Sequence, residues 1–241
     1  MTALVSVKPL IAVLVSLFVI PVLISSSRPN VREAWTFAAA LIKFAVIASM
    51  LPAVMGGDVL EFTIVPLFEG IELKLRVDAF GLLFALVASF LWIVTSAYSI
   101  GYMRGLNEHS QTRYFCFFAA ALSATIGAAF SANLLTLYIF YEILSLSTYP
   151  LVTHHQDAEA RSSGRKYLLY IMGGSIGLVL PAMVAVYTLT GTLEFGSGAI
   201  LSGAVSQVPA LLLLLMLVFG FSKAAIMPVH SWLPAAMVAP T

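Results

Sequence analysis

The stretch Tyr138-Ile-Phe-Tyr-Glu-Ile-Leu-Ser-Leu-Ser-Thr-Tyr149 lies inside an apolar run that is long enough to cross a lipid bilayer. Its acid, Glu142, lies about ten residues from either end of that run, and a carboxyl group at such depth is costly unless it meets a partner or a water-filled cavity. Four polar side chains share one face at helical spacing: Tyr138, Glu142, Ser145 and Tyr149. The run therefore predicts a membrane helix with one polar face.

The composition of the whole chain indicates the same environment. Of its 241 residues, 61% are hydrophobic and only 10% are charged, whereas a soluble domain has about 45–50% apolar and about 25% charged residues. The net charge of +1 and the lack of a basic cluster argue against a nucleic-acid partner. The single cysteine, Cys116, excludes an internal disulfide and a cysteine metal site. We therefore expect an integral membrane protein.

Membrane-spanning helices are predicted from the apolar runs, because a bilayer core needs about 20 helical residues to cross it. Seven stretches qualify: 4–24, 36–55, 79–100, 113–131, 133–152, 167–189 and 209–232. The last contains Gly220, Pro228 and Pro234, and proline cannot continue the helical hydrogen bonds. The predicted fold is an all-α polytopic membrane protein of about seven transmembrane helices, the seventh of which is interrupted.

Residues 58–78, between the second and third spans, have a different pattern. Residues 60–65 and 71–77 alternate apolar and polar side chains around a turn at Glu69-Gly70, which is typical of a β-hairpin. Seven basic residues lie on the side opposite this hairpin: Arg28, Arg32, Arg104, Arg113, Arg161, Arg165 and Lys166. The hairpin side has Lys8, Lys74 and Arg76. The positive-inside rule then places the N-terminus and the hairpin outside and the C-terminus in the cytoplasm.

A second buried charge is predicted at Lys223, which follows about fourteen apolar residues and lies beside the interruption. It is a natural partner for Glu142. An ion pair that only holds helices together is the competing interpretation, although apolar replacement of such pairs is often neutral or stabilising. His230 lies on roughly the same helical face as Lys223; it either passes protons between Lys223 and the cytoplasm or hydrogen-bonds the broken backbone. Ser222 extends the supporting polar face, and Gly220 and Pro228 mark the helix break.

Other polar residues have simpler interpretations. Lys43 is expected about 12 Å deep, from which its ammonium group reaches the membrane interface; a functional role is the alternative. His154, His155 and Asp157 are expected in a solvated loop and not in a metal site. The sequence has no P-loop, dinucleotide fingerprint, nucleophile elbow or pair of mid-membrane histidines for haem. We therefore expect no cofactor and no redox site of the chain's own.

Three segments resemble the hallmark segments of the antiporter-like membrane subunits: Val77–Gly81, Tyr141–Pro150 and Ser222–Thr241. This family is shared by respiratory complex I, the Mrp-type multisubunit cation/proton antiporters and the membrane-bound hydrogenases, and the likeness is greatest to the D-type Mrp component. The resemblance implies a proton path in which Glu142 modulates the pKa of Lys223. It also implies other membrane subunits as partners, protons and sodium as candidate ions, and a bacterial-type inner (cell) membrane.

The resemblance further implies two inverted five-helix repeats, and the chain reaches Thr241 where an eighth helix is expected to start. The predicted domains are residues 1–112, with three helices and the hairpin at 58–78, and residues 113–241, an incomplete first repeat. We expect either a truncated or split gene product, or a missing half that another chain supplies.

The predicted function follows from the two buried charges. At about 10 Å and an effective dielectric constant of about 20, they interact by roughly 1.7 kcal/mol, or a little over one pKa unit. The chain is predicted to be a proton-translocating half-channel of a cation/proton antiporter or of a redox-driven pump, such as an NADH:quinone oxidoreductase-like or hydrogenase complex. The alternatives are a scaffold or assembly subunit without transport and an inactive truncated fragment.

Overall fold

The computed structural model describes residues 3–68, 70–196, 201 and 205–239. The helices within these ranges are α1 (Lys8–Ser25), α2 (Pro29–Ala48), α3 (Leu51–Met55), α4 (Ala79–Gly105), α5 (Gln111–Ala129), α6 (Leu134–Val152), α7 (Ala158–Gly174), α8 (Leu180–Thr190), α9 (Gln207–Gly220) and α10 (Trp232–Ala236). A π-helical segment, Ser175–Val179, joins α7 to α8, and a 3₁₀ turn, Ser222–Ala224, follows α9.

Six helical stretches of the described residues are long and apolar enough to cross a membrane: α1, α2 with α3, α4, α5, α6, and α7 continued through α8. The seventh apolar helix, α9, has only 14 residues and ends at Gly220, inside the predicted span 209–232. The prediction of an all-α polytopic membrane protein with an interrupted seventh helix is therefore confirmed.

A small sheet has the order β1-β2-β3, formed by β1 (Ala3–Val5), β2 (Val59–Phe68) and β3 (Ile71–Val77). The predicted hairpin is β2 and β3; Gly70 has a φ of +74°, which favours glycine, and Glu69 of the predicted turn lies outside the described residues. The strand β1 pairs in parallel with β2, with Ala3 opposite Val59. This strand was not predicted, because three residues are too few for a recognisable alternation.

The chain divides into two compact units, Met1–Ile64 with Lys74–Ser131, and Val65–Leu73 with Ala132–Thr241. The predicted division at residue 112 concerns an internal repeat and stays a prediction. In the first unit, α1, α2, α4 and α5 pack on one another. Its buried core includes Val19, Leu23, Ala39, Ala40, Trp92, Phe115, Cys116 and Ala119.

The segment Val77–Gly81, one of the three that resemble the antiporter-like subunits, contains the beginning of α4. Asp78 caps the helix, because its Oδ1 accepts a hydrogen bond of 2.7 Å from the amide of Gly81. A Cβ atom at Gly81 would lie only 2.6 Å from the carbonyl oxygen of Ala129. The residue must therefore be glycine for α4 to approach the end of α5 this closely.

In the second unit, α6 begins at an Asn133 cap whose Oδ1 accepts from the amide of Thr136 at 2.8 Å. One apolar cluster holds Leu134, Ala182, Met183, Val186, Leu193 and Leu213, and another holds Tyr141, Val152, Tyr167, Ile171 and Trp232. The second cluster surrounds the turn that follows α9.

Two expectations about polar residues are wrong. Lys43 does not reach the membrane interface, because its side chain is fully buried within the first unit. His154 is not solvated, since it is also fully buried. Asp157 has a structural role at the start of α7, where its Oδ1 accepts from the amide of Ala160 at 2.7 Å.

Candidate functional site

The site begins where α9 ends. Gly220 is its last residue, and the chain continues through the 3₁₀ turn to Ala225, whose φ of +51° is left-handed. Pro228 lies in the following turn of residues 227–230. Between α9, which ends at Gly220, and α10, which begins at Trp232, the chain forms no regular α-helix. The predicted helix break is therefore this segment, residues 221–231.

Close packing explains why the last residue of α9 is a glycine. A Cβ atom at Gly220 would lie 2.5 Å from Val179 Cγ2 and 3.0 Å from the Val179 amide nitrogen, in the π-helical segment. Likewise, a Cβ atom at Gly174 would lie 3.1 Å from the carbonyl oxygen of Gly220. The end of α9 therefore packs with its backbone directly against the junction between α7 and α8.

Three hydrogen bonds hold the 3₁₀ turn in place. Ser222 Oγ donates to the carbonyl oxygen of Tyr170 at 3.0 Å. The indole Nε1 of Trp232 donates to the carbonyl oxygen of Ser222, also at 3.0 Å. The amide of Lys223 donates to the hydroxyl oxygen of Tyr141 at 3.1 Å. The last two bonds satisfy backbone groups of the turn, the carbonyl of Ser222 and the amide of Lys223, and the first ties the turn to α7.

The amine of Lys223 is bound by the polar side of α6. Its Nζ donates to Ser145 Oγ at 2.8 Å and to the carbonyl oxygen of Tyr141 at 3.2 Å. It also lies 4.4 Å from the centroid of the Tyr141 ring, within the range of a cation–π interaction. An ammonium group thus has two oxygen acceptors and an aromatic face next to the helix break.

Glu142 lies beside these acceptors but does not bind the amine. Both of its carboxyl oxygens are buried, and within the described residues neither has a hydrogen-bond partner. None of the ion pairs of these residues joins it to Lys223. Because residues three apart are neighbours on a helix surface, Glu142 lies one turn from Ser145, which does bind the amine.

The remaining predicted residues lie at different places in the second unit. Tyr138 packs against the apolar cluster of α8 and α9. Tyr149 lies beside Gly164 of α7, where a Cβ atom would be 2.9 Å from Tyr149 Cε2. His230 is half-buried with a buried Nδ1, and among the described hydrogen bonds none joins it to Lys223. Of the predicted polar face, only Ser145 contacts the amine.

Two contributors were missed by the sequence interpretation, Tyr141 and Trp232. Tyr141 was not included in the predicted polar face, which was drawn through Tyr138, Glu142, Ser145 and Tyr149. Its spacing of four residues from Ser145 was the available signal, since that spacing puts the two on one side of α6. Nothing in the sequence pattern indicated the bond from Trp232 to a backbone oxygen.

Comparison with known proteins places this site in a known domain. Residues 131–241, which include α6 and the turn after α9, match the family described as NADH:quinone oxidoreductase/Mrp antiporter, transmembrane. The predicted resemblance to the antiporter-like membrane subunits is confirmed. The matched residues 131–241 include Glu142, Ser145 and Lys223.

Curated relatives extend the antiporter-like similarity over most of the chain. The A/B component of a probable K(+)/H(+) antiporter of Rhizobium meliloti is 30% identical over 208 residues, which cover 85% of this chain and 20% of the relative. Hydrogenase-4 component B of Escherichia coli is 31% identical, with 81% and 30% covered. The A component of the Na(+)/H(+) antiporter of Alkalihalophilus pseudofirmus is 30% identical, with 83% and 25% covered. The likeness to the D-type Mrp component is thus approximate.

Solved structures share the antiporter-like fold. A chain of the membrane-bound sulfane sulfur reductase, an archaeal respiratory membrane complex, superposes with a TM-score of 0.82 at 20% identity, covering 97% of this chain and 47% of that chain. A chain of the Mrp complex from Dietzia sp. gives a TM-score of 0.77 at 20% identity, covering 95% and 43%. The chain spans less than half of these structures and 20 to 30% of the three relatives.

Proposed function

We propose that the chain is a proton-translocating membrane subunit, a half-channel within a multisubunit cation/proton antiporter or a redox-driven proton pump. The observation that carries this proposal is the position of Lys223. Its amine lies at the break after α9 and binds Ser145 and Tyr141, while the buried carboxyl group of Glu142 lies one turn away, with no partner among the described residues. Intramembrane ionisable groups in such surroundings are typical of proton paths.

The arrangement supports a mechanism with two positions for the amine. In one position the ammonium group is bound by Ser145 and the Tyr141 carbonyl. In the other, rotation of the flexible lysine side chain brings the ammonium to Glu142, one helical turn along α6. The carboxylate favours the charged form of a nearby amine, and its neutralisation removes that effect. Glu142 thereby modulates the protonation of Lys223.

The remaining predicted residues have supporting roles in this proposal. We assign the irregular segment around Gly220 and Pro228 the role of lining a water path to the amine, because irregular backbone at membrane depth is tolerated where protein or a water-filled cavity satisfies it. His230, whose Nδ1 is buried, is placed beyond the amine in the same segment and passes protons toward the cytoplasmic side. Tyr138, Tyr149 and Ser222 keep the surrounding helices in register.

The relatives support the proposed partners and membrane, and the positive-inside rule supports the proposed orientation. The protein operates with other membrane subunits in a bacterial-type inner (cell) membrane, with its N-terminus outside and its C-terminus in the cytoplasm. Protons are the transported species and sodium is a candidate coupling ion. The relatives include both antiporter and hydrogenase components, so the proposal covers ion exchange and redox-driven proton pumping.

The test uses Glu142→Gln and Lys223→Ala variants in the assembled complex. Glu159→Gln and Lys166→Ala are matched controls, because both side chains are exposed on α7. Proton transfer by a positioned side chain is worth about a hundredfold or more, so proton flux is expected to fall about that much in Lys223→Ala, less in Glu142→Gln, and not in the controls. Normal flux in both site variants with an intact complex would contradict the proposal.

A scaffold role is the second candidate, and one observation favours it. The bonds from Lys223 to Ser145 and Tyr141 alone would hold the turn against α6, whatever the amine does with protons. In that case the Lys223→Ala variant would lose assembly of the complex, measured by co-purification of its subunits, while any complex that forms keeps normal flux. An inactive fragment predicts no flux in the unmodified chain and no effect of any variant.

A further inference from the structure

A second buried lysine lies in the first compact unit, away from the residues of the proposed function. Lys43 of α2 is fully buried and contacts one group from each of the other three helices of the bundle. Its Nζ donates to Ser16 Oγ of α1 at 2.8 Å and to the Leu122 carbonyl oxygen of α5 at 3.1 Å. It also lies 5.5 Å from the ring centroid of Trp92 of α4. The amine is thus at the centre of the bundle.

The contacts of Lys43 suit an ammonium group without an acidic partner. Two oxygen acceptors and an aromatic face stabilise its charge. None of the ion pairs of the described residues involves it. An apolar side chain of similar volume would fill this position at lower cost, because a charge inside a membrane bundle carries a large desolvation penalty. A packing role alone therefore does not explain the amine.

Two polar groups on α4 indicate water next to this amine. Trp92 and Ser96 are each 1% exposed, and within the described residues Trp92 Nε1 and Ser96 Oγ have no hydrogen-bond partner. Buried polar groups of this kind are normally bound by an ordered water. The two residues are four apart, so they lie on one face of α4. A water between them would contact the indole beside which the Lys43 amine lies.

The polar face of α4 continues toward one end of the bundle. Ser99 follows Ser96 by three residues, and its Oγ lies 3.1 Å from the hydroxyl of Tyr114 of α5. Farther along α4, Arg104 Nε donates to Glu33 Oε1 of α2 at 2.8 Å. Glu33 is ten residues before Lys43 in the same helix, or about 15 Å along its axis. The hydroxyl groups of Ser96 and Ser99 therefore lie along α4 between Trp92, which is beside the amine, and Arg104, which binds the Glu33 carboxylate.

Few other ionisable groups occur on these helices. They are Lys8 on α1, Arg32 and Glu33 on α2, Tyr98, Tyr102 and Arg104 on α4, and Arg113, Tyr114 and Cys116 on α5. The only carboxyl group among them is Glu33, because the four helices contain no aspartate and no other glutamate. Glu33 is therefore the one carboxyl group on these helices that is available to protons moving to or from Lys43. It lies at the end of the bundle beyond Ser99.

We infer that Lys43 is a second proton-exchange site, linked by water and the Ser96–Ser99 hydroxyl row to the Glu33–Arg104 end of the bundle. The ligand is a proton carried by water. This inference is independent of Lys223, because every group in it belongs to the first compact unit. The Lys223→Ala variant is accordingly expected to leave exchange at Lys43 unchanged, which keeps the two proposals separable.

The experiment measures exchange of the Lys43 ammonium hydrogens with D₂O in the full chain in lipid bilayers, by NMR with ¹⁵Nζ-labelled lysine. The chain has five lysines, Lys8, Lys43, Lys74, Lys166 and Lys223. Single substitutions of the other four assign their signals, and the signal that remains in every variant belongs to Lys43. The Lys43 signal is expected to exchange despite its burial. Ser96→Val, which removes the hydroxyl and fills its space, is expected to slow exchange about tenfold, as for the loss of a bridging water and its hydrogen bonds.

Ser89→Ala and Ser96→Ala form a matched pair. Ser89 lies on the same helix and is equally buried, but its Oγ bonds only to carbonyl oxygens of α4, at 2.7 Å and 3.2 Å. Its substitution is expected to leave the rate unchanged. The inference is overturned if the Lys43 hydrogens exchange no faster than the core amides of α2, or if the Ser89 and Ser96 variants change the rate equally. Neither outcome depends on a Lys43 variant that folds.

Discussion

Lys223 Nζ donates a 2.8 Å hydrogen bond to Ser145 Oγ, which joins the irregular segment after α9 to the middle of α6. The hydroxyl of Ser145 in turn donates to the carbonyl oxygen of Tyr141 at 2.9 Å, and that same carbonyl accepts from the lysine. The amine is thus bound by a small network and not by a single oxygen. The network binds the amine without the nearby carboxyl group of Glu142, whose oxygens have no hydrogen-bond partner within the described residues.

Substitution of Ser145 tests whether this hydrogen bond supports proton movement. Ser145→Ala removes an acceptor from the ammonium group, and a hydrogen bond to a charged group contributes about 1.5–3 kcal/mol. We expect proton flux of the assembled complex to fall about tenfold. Ser147→Ala is the control, because within the described part of the chain Ser147 Oγ bonds only to the Leu144 carbonyl of its own helix, at 3.0 Å. Equal flux in the two variants would mean that the bond has no part in transport.

Gly220→Ala tests the close packing at the end of α9. The added Cβ atom meets Val179 at 2.5 Å, so we expect a loss of about 1–3 kcal/mol, the usual cost of overpacking. Gly173→Ala is the control, since a Cβ atom there has no neighbour within 4 Å. Thermal unfolding in detergent measures both. If adding Val179→Ala to Gly220→Ala restores stability, this contact is the cause of the loss. If stability stays low, the contact is not the cause.

Trp232→Phe tests the bond that anchors the 3₁₀ turn. The phenyl ring retains packing near Tyr167, whose ring centroid lies 5.6 Å from that of the indole. The variant loses the bond from Nε1 to the Ser222 carbonyl oxygen, and we expect about 1 kcal/mol lower stability. Hydrogen exchange at the Lys223 amide should quicken. Trp35→Phe, at a side chain 47% exposed, should change neither quantity.

Orientation in the membrane is tested by cysteine labelling in a Cys116→Ala background. Val65→Cys lies in the hairpin and Ser162→Cys at the opposite end, near the start of α7, and both positions are exposed. A membrane-impermeant maleimide added to intact cells should label the cysteine at position 65 and not the one at position 162, because the positive-inside rule places the basic loops in the cytoplasm. In inverted vesicles the pattern should reverse. The opposite pattern would contradict the predicted topology.

The sequence predicted the membrane helices well and their ends less well, for a physical reason. Hydropathy detects the apolar part of a span, so the sixth span was predicted from residue 167. The helix in fact begins at Ala158, because Asp157 caps it. Its first turns have polar side chains that suit water, so hydropathy does not detect them. Likewise, α4 continues to Gly105, beyond the end that was predicted at residue 100 for the third span.

Glu142 and Ser145 lie on α6, and Lys223 lies in the turn after α9, where its amine binds Ser145. The role of these three residues in a proton path stays a prediction. The binding of the amine to the Tyr141 carbonyl was beyond prediction, because it uses a backbone oxygen that every residue has. Lys43 was misjudged for a related reason. Depth along the helix gave its distance from the interface, whereas its direction toward the bundle centre depends on how four helices pack.

The π-helical segment Ser175–Val179 has a consequence for how α8 can vary. A π turn accommodates one residue more than an α turn, so everything after it is rotated by about 100° relative to a continuous α-helix. Ala182, Met183 and Val186 pack in the apolar cluster only with that rotation. Deletion of a single residue such as Ile176 would convert the segment to α-helix and turn these three side chains away from the cluster. The segment therefore sets the rotation of α8 about its axis, and the number of residues at this point determines which side chains α8 presents to the cluster.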